Sequence, residues 1–441
     1  MTDLPAPRPS PCPGLLRIVQ ALDGGICRIK LPGGVLAANQ AHAIAEAAQR
    51  HASGVLELTN RSNLQIRGVR AEAEHDLIGA LLAANLGPSV PDADDVRNLM
   101  LSPAAGLDPQ QHMDTRPLAD GILALLQGNP ALHALSAKFA IQLDGGEALC
   151  MLEHAHDLWL RALPGAAPQL VFGLAGCPTD RPLGLVSATG AVQLVEAILL
   201  TFLQCAAPEQ SRMRQLLDTI PADELLRRVQ ARLPFALLPA PDNWQRQTPA
   251  ATTPIGIIVQ RQTGLTMVTA NAPLGRIDAG QLHAVTELAQ RHGDGSLRLT
   301  PWQGLLIPNV PDNEAGELLA ALGQVGLLPD SAAPLANLIA CTGSAGCARG
   351  LADTKGDALQ LAACLQQHDV RPQVHLSGCS RSCAAAHVAP YTLLAIGDGH
   401  YQLYGRAADS AGFGQPLSPP MNIDQAGAWL AQHHATGRTH A

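Results

Sequence analysis

Long uninterrupted apolar runs are missing from this sequence. The longest apolar stretch, residues 191–207, is broken by Gln193, Glu196 and Gln204, which makes it an amphipathic helix rather than a membrane span. The proline-rich stretch Met1 to Gly14 has no basic region followed by an apolar one, so no signal peptide is expected there. Excess positive charge is also missing. Lys and Arg total 29 against 37 Asp and Glu, a net charge of −8, which argues against a general nucleic-acid binder and leaves room only for local basic pockets. No G-x-G-x-x-G sits between a strand and a helix, so no nicotinamide or flavin site is readable. A P-loop and a C-x-x-C-H haem attachment are absent too. A redox enzyme with this sequence would draw its electrons from another protein. Aromatics make up only 3% of residues and charged residues 15%, but 47% are hydrophobic, the composition of a soluble globular protein. At 441 residues the chain can build two to four domains with sizeable cores. Its ten cysteines are clustered rather than evenly spaced, which fits a reducing cytosol.

What is present includes a duplication. Ile18-Val19-Gln20 returns as Ile258-Val259-Gln260, and Ala48-Gln49-Arg50-His51 as Ala289-Gln290-Arg291-His292. Leu56 to Thr59 likewise matches Leu297 to Thr300, at an offset of 240 and then 241 residues. Two copies at so long a period indicate a pseudo-two-fold protein, not a solenoid. Each copy reads as short strands around a helix over residues 37–52, then two more strands (Val55–Leu58 and Leu64–Ile66 in the first) and a helix over residues 71–85. The expected units are residues 15–88, 92–235, a proline-rich linker 236–253, then 254–328 and 330–410. In the second unit helices are expected near residues 116–128 and 189–206, with strands near 138–143, 148–153 and 170–174.

The strongest chemical signal is Cys341-Thr-Gly-Ser-Ala-Gly-Cys347 followed by Gly378-Cys379-Ser-Arg-Ser-Cys383. Two close cysteine pairs among small residues suggest one four-thiolate site. The pairs enclose five and three residues. Zinc ligands usually sit closer together, so an iron–sulfur cube is the better match. Zinc and unrelated buried cysteines are the alternatives. The other six, Cys12, Cys27, Cys150, Cys177, Cys205 and Cys364, read as small apolar residues.

Three cations stand at turns where strands begin: Arg61 in Thr59-Asn-Arg61-Ser-Asn-Leu-Gln65, Arg97 in Arg97-Asn98, and Lys138 before the strand from Phe139. Converging on one cavity they would suit a polyanionic ligand; singly they are ordinary surface charge. The equivalent turn of the second copy holds Trp302, either core packing or a lid on a flat ligand. Glu153-His154-Ala-His156-Asp157 could offer two His and a carboxylate to non-haem iron, but a solvated strand or loop is the expectation. Asp353-Thr354-Lys355 caps a helix or orders the loop over the cysteines.

With its duplicated unit and Cys-x5-Cys…Cys-x3-Cys, the chain resembles the nitrite/sulfite reductase superfamily over residues 15–406. That resemblance implies an α+β, pseudo-two-fold fold of two ferredoxin-like half-domains, each followed by an α/β domain. It implies a [4Fe–4S] cluster on Cys341, Cys347, Cys379 and Cys383, the last nearest the tetrapyrrole metal. It also makes Arg61, Gln65, Arg97, Asn98 and Lys138 the basic wall around a tetrapyrrole and its anionic substrate. The superfamily's second lysine is Ala140 here, and Ser136-Ala137 replaces its usual Pro-Arg. Together with the Leu299-Thr-Pro-Trp302 turn, these departures resemble the precorrin-3B synthases. Their resemblance implies a cytoplasmic monooxygenase in which Arg61, Arg97 and Lys138 are catalytic and Trp302 belongs to the substrate site. Its partners would be precorrin-3A, O2 and a separate reductase or ferredoxin, and a mononuclear non-haem iron would join the cluster. A sirohaem-dependent nitrite or sulfite reductase is the alternative.

Overall fold

The structure, a computed structural model, describes residues 12–242, 244–246, 254–385, 389–407 and 412–437. Most of Met1 to Gly14, residues 243 and 247–253 of the expected linker, and the start of the tail lie outside the described residues.

The first repeat comprises β1 (Val19–Ala21), β2 (Gly24–Ile29), β3 (Val35–Ala37), α1 (Ala38–His51), β4 (Val55–Leu58), β5 (Leu64–Val69) and α2 (Glu74–Ala83). The expected helices are present, with residues 71–73 forming a tighter 3-10 turn ahead of α2. Helix α1 buries Ala41, Ile44, Ala45 and Ala48, one stripe at the i, i+3, i+4, i+7 spacing of a core-facing helix.

The unit that follows contains β6 (Leu99–Met100), α3 (Arg116–Gly128), β7 (Ile141–Asp144), β8 (His156–Ala162), β9 (Gln169–Gly176), β10 (Gly184–Ser187), α4 (Ala191–Cys205), α5 (Met213–Leu217) and α6 (Ala222–Gln230). Strands β6, β7 and β8 run parallel, and β9 and β10 return antiparallel. Residues 188–205 are long and apolar enough to cross a membrane, but half of that span is buried, with Leu194, Ile198 and Phe202 in the core under this sheet. Residues 148–153 are a loop, not the expected strand. The strand lies further on, in β8, buried at all seven positions. Its sequence hid it because His156, Asp157 and Arg161 break the apolar run. Inside the fold Asp157 pairs with Arg212 and Arg161 with Asp144, so the charges are tolerated.

The second repeat gives β11 (Gly256–Val259), β12 (Leu265–Asn271), β13 (Arg276–Asp278), α7 (Ala279–His292), β14 (Ser296–Leu299), β15 (Gly304–Pro311) and α8 (Ala315–Gln324). A capping box starts α7: Asp278 accepts from the Gln281 amide at 2.8 Å and Gln281 accepts from the Asp278 amide at 2.9 Å. The two halves exchange a strand. β3 pairs with β14 and β13 with β4, so Leu36, Leu56, Ile277 and Leu297 share one core. His42 and His283, equivalent positions 241 residues apart, meet at 2.9 Å between ring nitrogens, and the pseudo-two-fold axis passes between α1 and α7.

The last unit holds β16 (Leu338–Ala340), α9 (Thr354–Gln367), β17 (Val374–Ser377), β18 (Tyr391–Gly397), β19 (His400–Gly405), β20 (Gln415–Pro416), β21 (Met421–Asn422) and α10 (Ile423–Gly437). Here too the first three strands are parallel and the next antiparallel. The β16-β17-β18 arrangement repeats β6-β7-β8, so the duplication extends to the sheets that follow the small repeats. The protein is α+β throughout.

Candidate functional site

The cysteines occupy the loops at the carboxyl ends of β16 and β17, neighbouring parallel strands. Cys341 follows Ala340 directly, and Gly378-Cys379 follows Ser377, so both pairs emerge on the same edge of the sheet, where ligands of α/β folds gather. The Gly378 amide donates to Cys341 Sγ at 3.2 Å. Thr354 Oγ1, at the start of α9, donates to the Cys341 carbonyl at 2.8 Å and lies 3.5 Å from its Sγ. Asp353 caps the same helix, accepting from the Gly356 amide at 3.2 Å. Gly343 is required as glycine: its φ is +68°, and a Cβ would sit 2.6 Å from the Ala352 carbonyl oxygen. All ten cysteines are free thiols. Desolvation first, then the neighbouring charges of Cys379, Cys341 and Cys347, push the Cys383 thiol up although it still reaches solvent. Both cysteine pairs therefore lie in loops on the same edge of the sheet. Among the described residues no three His, Cys, Asp or Glu side chains converge closely enough to hold a single ion. With five and three residues inside the two pairs, the donor set fits a polynuclear group such as a [4Fe–4S] cluster better than zinc.

Next to this place stands the β4–β5 turn. Asn60 Nδ2 donates to the carbonyls of Cys383 and Ala384, at 3.5 and 3.2 Å. The turn kinks at Ser62, φ +55°, and Arg61 Nη1 reaches the Lys138 carbonyl at 3.5 Å. Burial, then the charges of Arg212 and Arg28, lower the Arg61 pKa to about 10. Burial lowers the pKa of Arg28, on β2, against the opposing charges of Cys12, Cys383 and Asp95, and the Gln65 side-chain oxygen accepts from Arg28 Nε and Nη2 at 3.2 and 2.8 Å. Arg212 is held by Asp157, with Nε 2.9 Å from each carboxylate oxygen. The structure thus gathers Arg61, Gln65, the Lys138 backbone and the second cysteine pair, and adds Arg28 and Arg212. Sequence reading missed those two because neither lies in a motif; only strand pairing and the Asp157 contact bring them in.

Other expected residues stand elsewhere. Arg97 bonds the Leu86 carbonyl and Asp94, both at 3.4 Å, and lines a cavity of about 320 Å³ with Leu82, Ser89 and Gln127 rather than joining Arg61. Asn98 fastens the chain, donating to the carbonyls of Ala137 and Phe139 at 3.0 and 3.1 Å. Trp302 lines a different cavity, about 450 Å³, with Cys150, Met151 and Ile258. Lys138 itself is exposed. The histidines reverse expectation: His154 and His156 are 2% and 1% exposed, their rings 4.8 Å apart, and burial drives the His156 pKa well down. No third ligand completes an ion site there among the described residues.

The comparisons with known proteins converge. The nitrite/sulfite reductase ferredoxin-like half domain matches residues 19–84 and again 258–325. The nitrite and sulphite reductase 4Fe-4S domain matches residues 92–237, the segment of the first parallel sheet; the four cysteines lie in the equivalent second one. The chloroplastic ferredoxin–nitrite reductase of Zea mays is 30% identical over 393 residues, covering 82% of this chain and 68% of its own. A precorrin-3B synthase of Sinorhizobium sp is 26% identical over 409 residues, covering 92% of this chain and 84% of its own. The chain spans about two thirds of the length of the plant relatives, 64–68% of the first three. Among solved structures, the Mycobacterium tuberculosis NirA protein superposes with a TM-score of 0.77 at 21% identity, over 92% of this chain and 79% of that one.

Proposed function

The chain belongs to the nitrite/sulfite reductase family, a family of oxidoreductases, and from that premise we propose that it is a monooxygenase of the precorrin-3B synthase type. The observation that carries this reading is position 140. A six-electron reduction of a small oxyanion calls for cations where charge develops. Ala140 is a buried strand-edge residue whose amide donates to Asp157 Oδ2 at 2.9 Å and whose carbonyl accepts from the Asp157 amide at 2.9 Å. It offers no cation. The near end-to-end match with the Sinorhizobium protein supports the same reading.

In this reading Cys341, Cys347, Cys379 and Cys383 hold a [4Fe–4S] cluster, which when bound supplies single electrons. Arg61, Arg28, Arg212 and Lys138 pair with the acetate and propionate carboxylates of precorrin-3A, a task suited to guanidinium forks. Gln65 keeps Arg28 in place and Asp157 keeps Arg212. One oxygen atom of O2 becomes the hydroxyl at ring carbon C20 and the other leaves as water, taking up two electrons and two protons. A side-chain acetate oxygen bonds to the ring carbon next to C20 as the double bond between the two carbons is consumed, its proton passing to the new hydroxyl, and the γ-lactone closes. The electrons come from a ferredoxin or a separate reductase, and the enzyme works in the cytoplasm.

A sirohaem-dependent nitrite or sulfite reductase is the second reading, favoured by the 30% identity with the maize enzyme. One experiment separates the two. The protein is purified without oxygen, its iron and sulfide are assayed, and its absorption spectrum is followed on adding precorrin-3A and then air. Oxygen-dependent loss of precorrin-3A without resident sirohaem is expected; tightly bound sirohaem overturns the first reading. Arg61→Ala should weaken precorrin-3A binding roughly 10- to 100-fold, the scale of one charge-assisted contact.

A further inference from the structure

We propose that Glu57, on β4 of the first half-domain, is a positioning residue that tunes the reduction potential of the cluster through the first cysteine loop. This rests on the cluster reading above. The loop is gripped from outside its own sheet. Thr342 Oγ1, in the residue after Cys341, lies 3.2 Å from each Glu57 carboxylate oxygen. Arg67 Nη2 donates to the Gly346 carbonyl, the residue before Cys347, at 3.4 Å. A Cβ at Gly346 would stand 2.6 Å from Thr342 Cγ2, 2.8 Å from Asp23 Oδ2 and 2.9 Å from Arg67 Nη2, so a larger residue there would push these side chains aside.

Three cations surround the carboxylate. Arg276 Nη2 bonds it at 2.6 Å, Arg67 Nη1 at 3.3 Å, and Lys355 Nζ stands 3.8 Å away. Lys355 also donates to the carbonyls of Leu274 and Ala340 at 2.6 and 3.3 Å, tying the second half-domain to the residue before Cys341. Arg67 in turn holds Asp23, with Nε and Nη2 both 2.7 Å from its oxygens. The side chains of Glu57, Arg67 and Lys355 are 13%, 4% and 12% exposed. Fixed charges this poorly screened act on a neighbouring redox group far more strongly than surface charges do. A mere staple would need only the hydrogen bonds. Here opposed charges from three other strands and α9 stand against the ligand loop.

The charges can be removed one sign at a time. Glu57→Gln keeps the shape and an acceptor for Thr342 while deleting the anion, so the cluster becomes easier to reduce. Lys355→Met deletes a cation and makes it harder. Each shift should reach about tenfold in the one-electron equilibrium, 59 mV, at neutral pH in a titration followed by electron paramagnetic resonance. Glu57→Asp should stay near the parent. If Glu57→Gln does not accumulate, Arg276→Gln is expected to shift in the same direction as Lys355→Met. Opposite shifts with iron and sulfide unchanged support the proposal. Unshifted potentials, shifts of one sign, or variants that lose iron together overturn it alone. A parent protein without cluster iron overturns the cluster reading, and this proposal with it.

Discussion

The loops after β6 and β7 and those after β16 and β17 occupy equivalent places in two sheets of one topology, yet they are held in opposite ways. The first pair closes on itself. Ser102 Oγ donates to the Leu149 carbonyl at 2.6 Å, and Asp108 Oδ2 accepts from the amides of Ala148 and Leu149 at 2.9 and 3.3 Å. Asp144 pairs with Arg161 at 2.8 Å and Arg246 at 3.0 Å, and Arg246 also donates to the Glu147 carbonyl at 2.8 Å. The second pair carries four free thiols, and burial, then the charges of Cys379, Cys341 and Cys347, oppose ionisation at Cys383. The facing turns differ in the same sense, Arg61 beside the thiols and Trp302 beside the self-sealed loops. On the proposed cluster reading, a duplicated scaffold has kept one copy as structure and uses the other to hold a group.

Four measurements would break or sharpen that contrast. Cys341→Ser should have the largest effect, with cluster iron and turnover both lost, as read by iron and sulfide analysis. A variant that kept its iron would remove the distinction between the loop pairs. Asp144→Ala attacks the self-sealed side and leaves two buried guanidiniums without their carboxylate. It should cost about 3–5 kcal/mol in a urea titration while the iron content of folded protein stays constant.

The third measurement is pH. Burial, then the Asp144 charge, raises the Glu147 pKa to about 8. A carboxyl raised above its unfolded value favours folding while protonated, so its contribution is present below about 4.5 and is lost as pH rises to about 8. The midpoint of thermal unfolding should therefore fall across that window, and Glu147→Gln should flatten the fall. A slope equal in both proteins would show that Glu147 is not the titrating group. The smallest effect is expected from Trp302→Phe, a stability change of roughly 1 kcal/mol with iron content and precorrin-3A affinity unchanged. A marked loss of precorrin-3A affinity would place the second cavity in the substrate site.

Much of this was legible beforehand, because some signals are local. The cysteine pairs lie within a few residues of each other, and the repeated Leu-x-Leu-Thr strands keep their offset wherever they fold. The Arg61 turn stood out for the same reason. Arg97 stands apart from the Arg61 turn for a reason the motif did not carry: its Nη2 reaches the Leu86 carbonyl and Asp94, both at 3.4 Å. His154 and His156 misled because a polar stretch reads as solvated, whereas β8 is enclosed on both sides. Arg28 carried no signal, since its role depends on β2 lying beside β5.

By itself the sequence determined the pseudo-two-fold plan, the two close cysteine pairs and the absence of a lysine at position 140, all properties of residue identity and spacing. Only the tertiary structure decided that the half-domains exchange β3 and β13, that Arg28 and Arg212 join Arg61, and that Glu57 reaches the loop of Cys341. The reason is physical. Periodicity and spacing act along the chain, whereas burial and charge act through space, and Glu57 and Thr342, 285 residues apart in sequence, meet only after the sheets have packed.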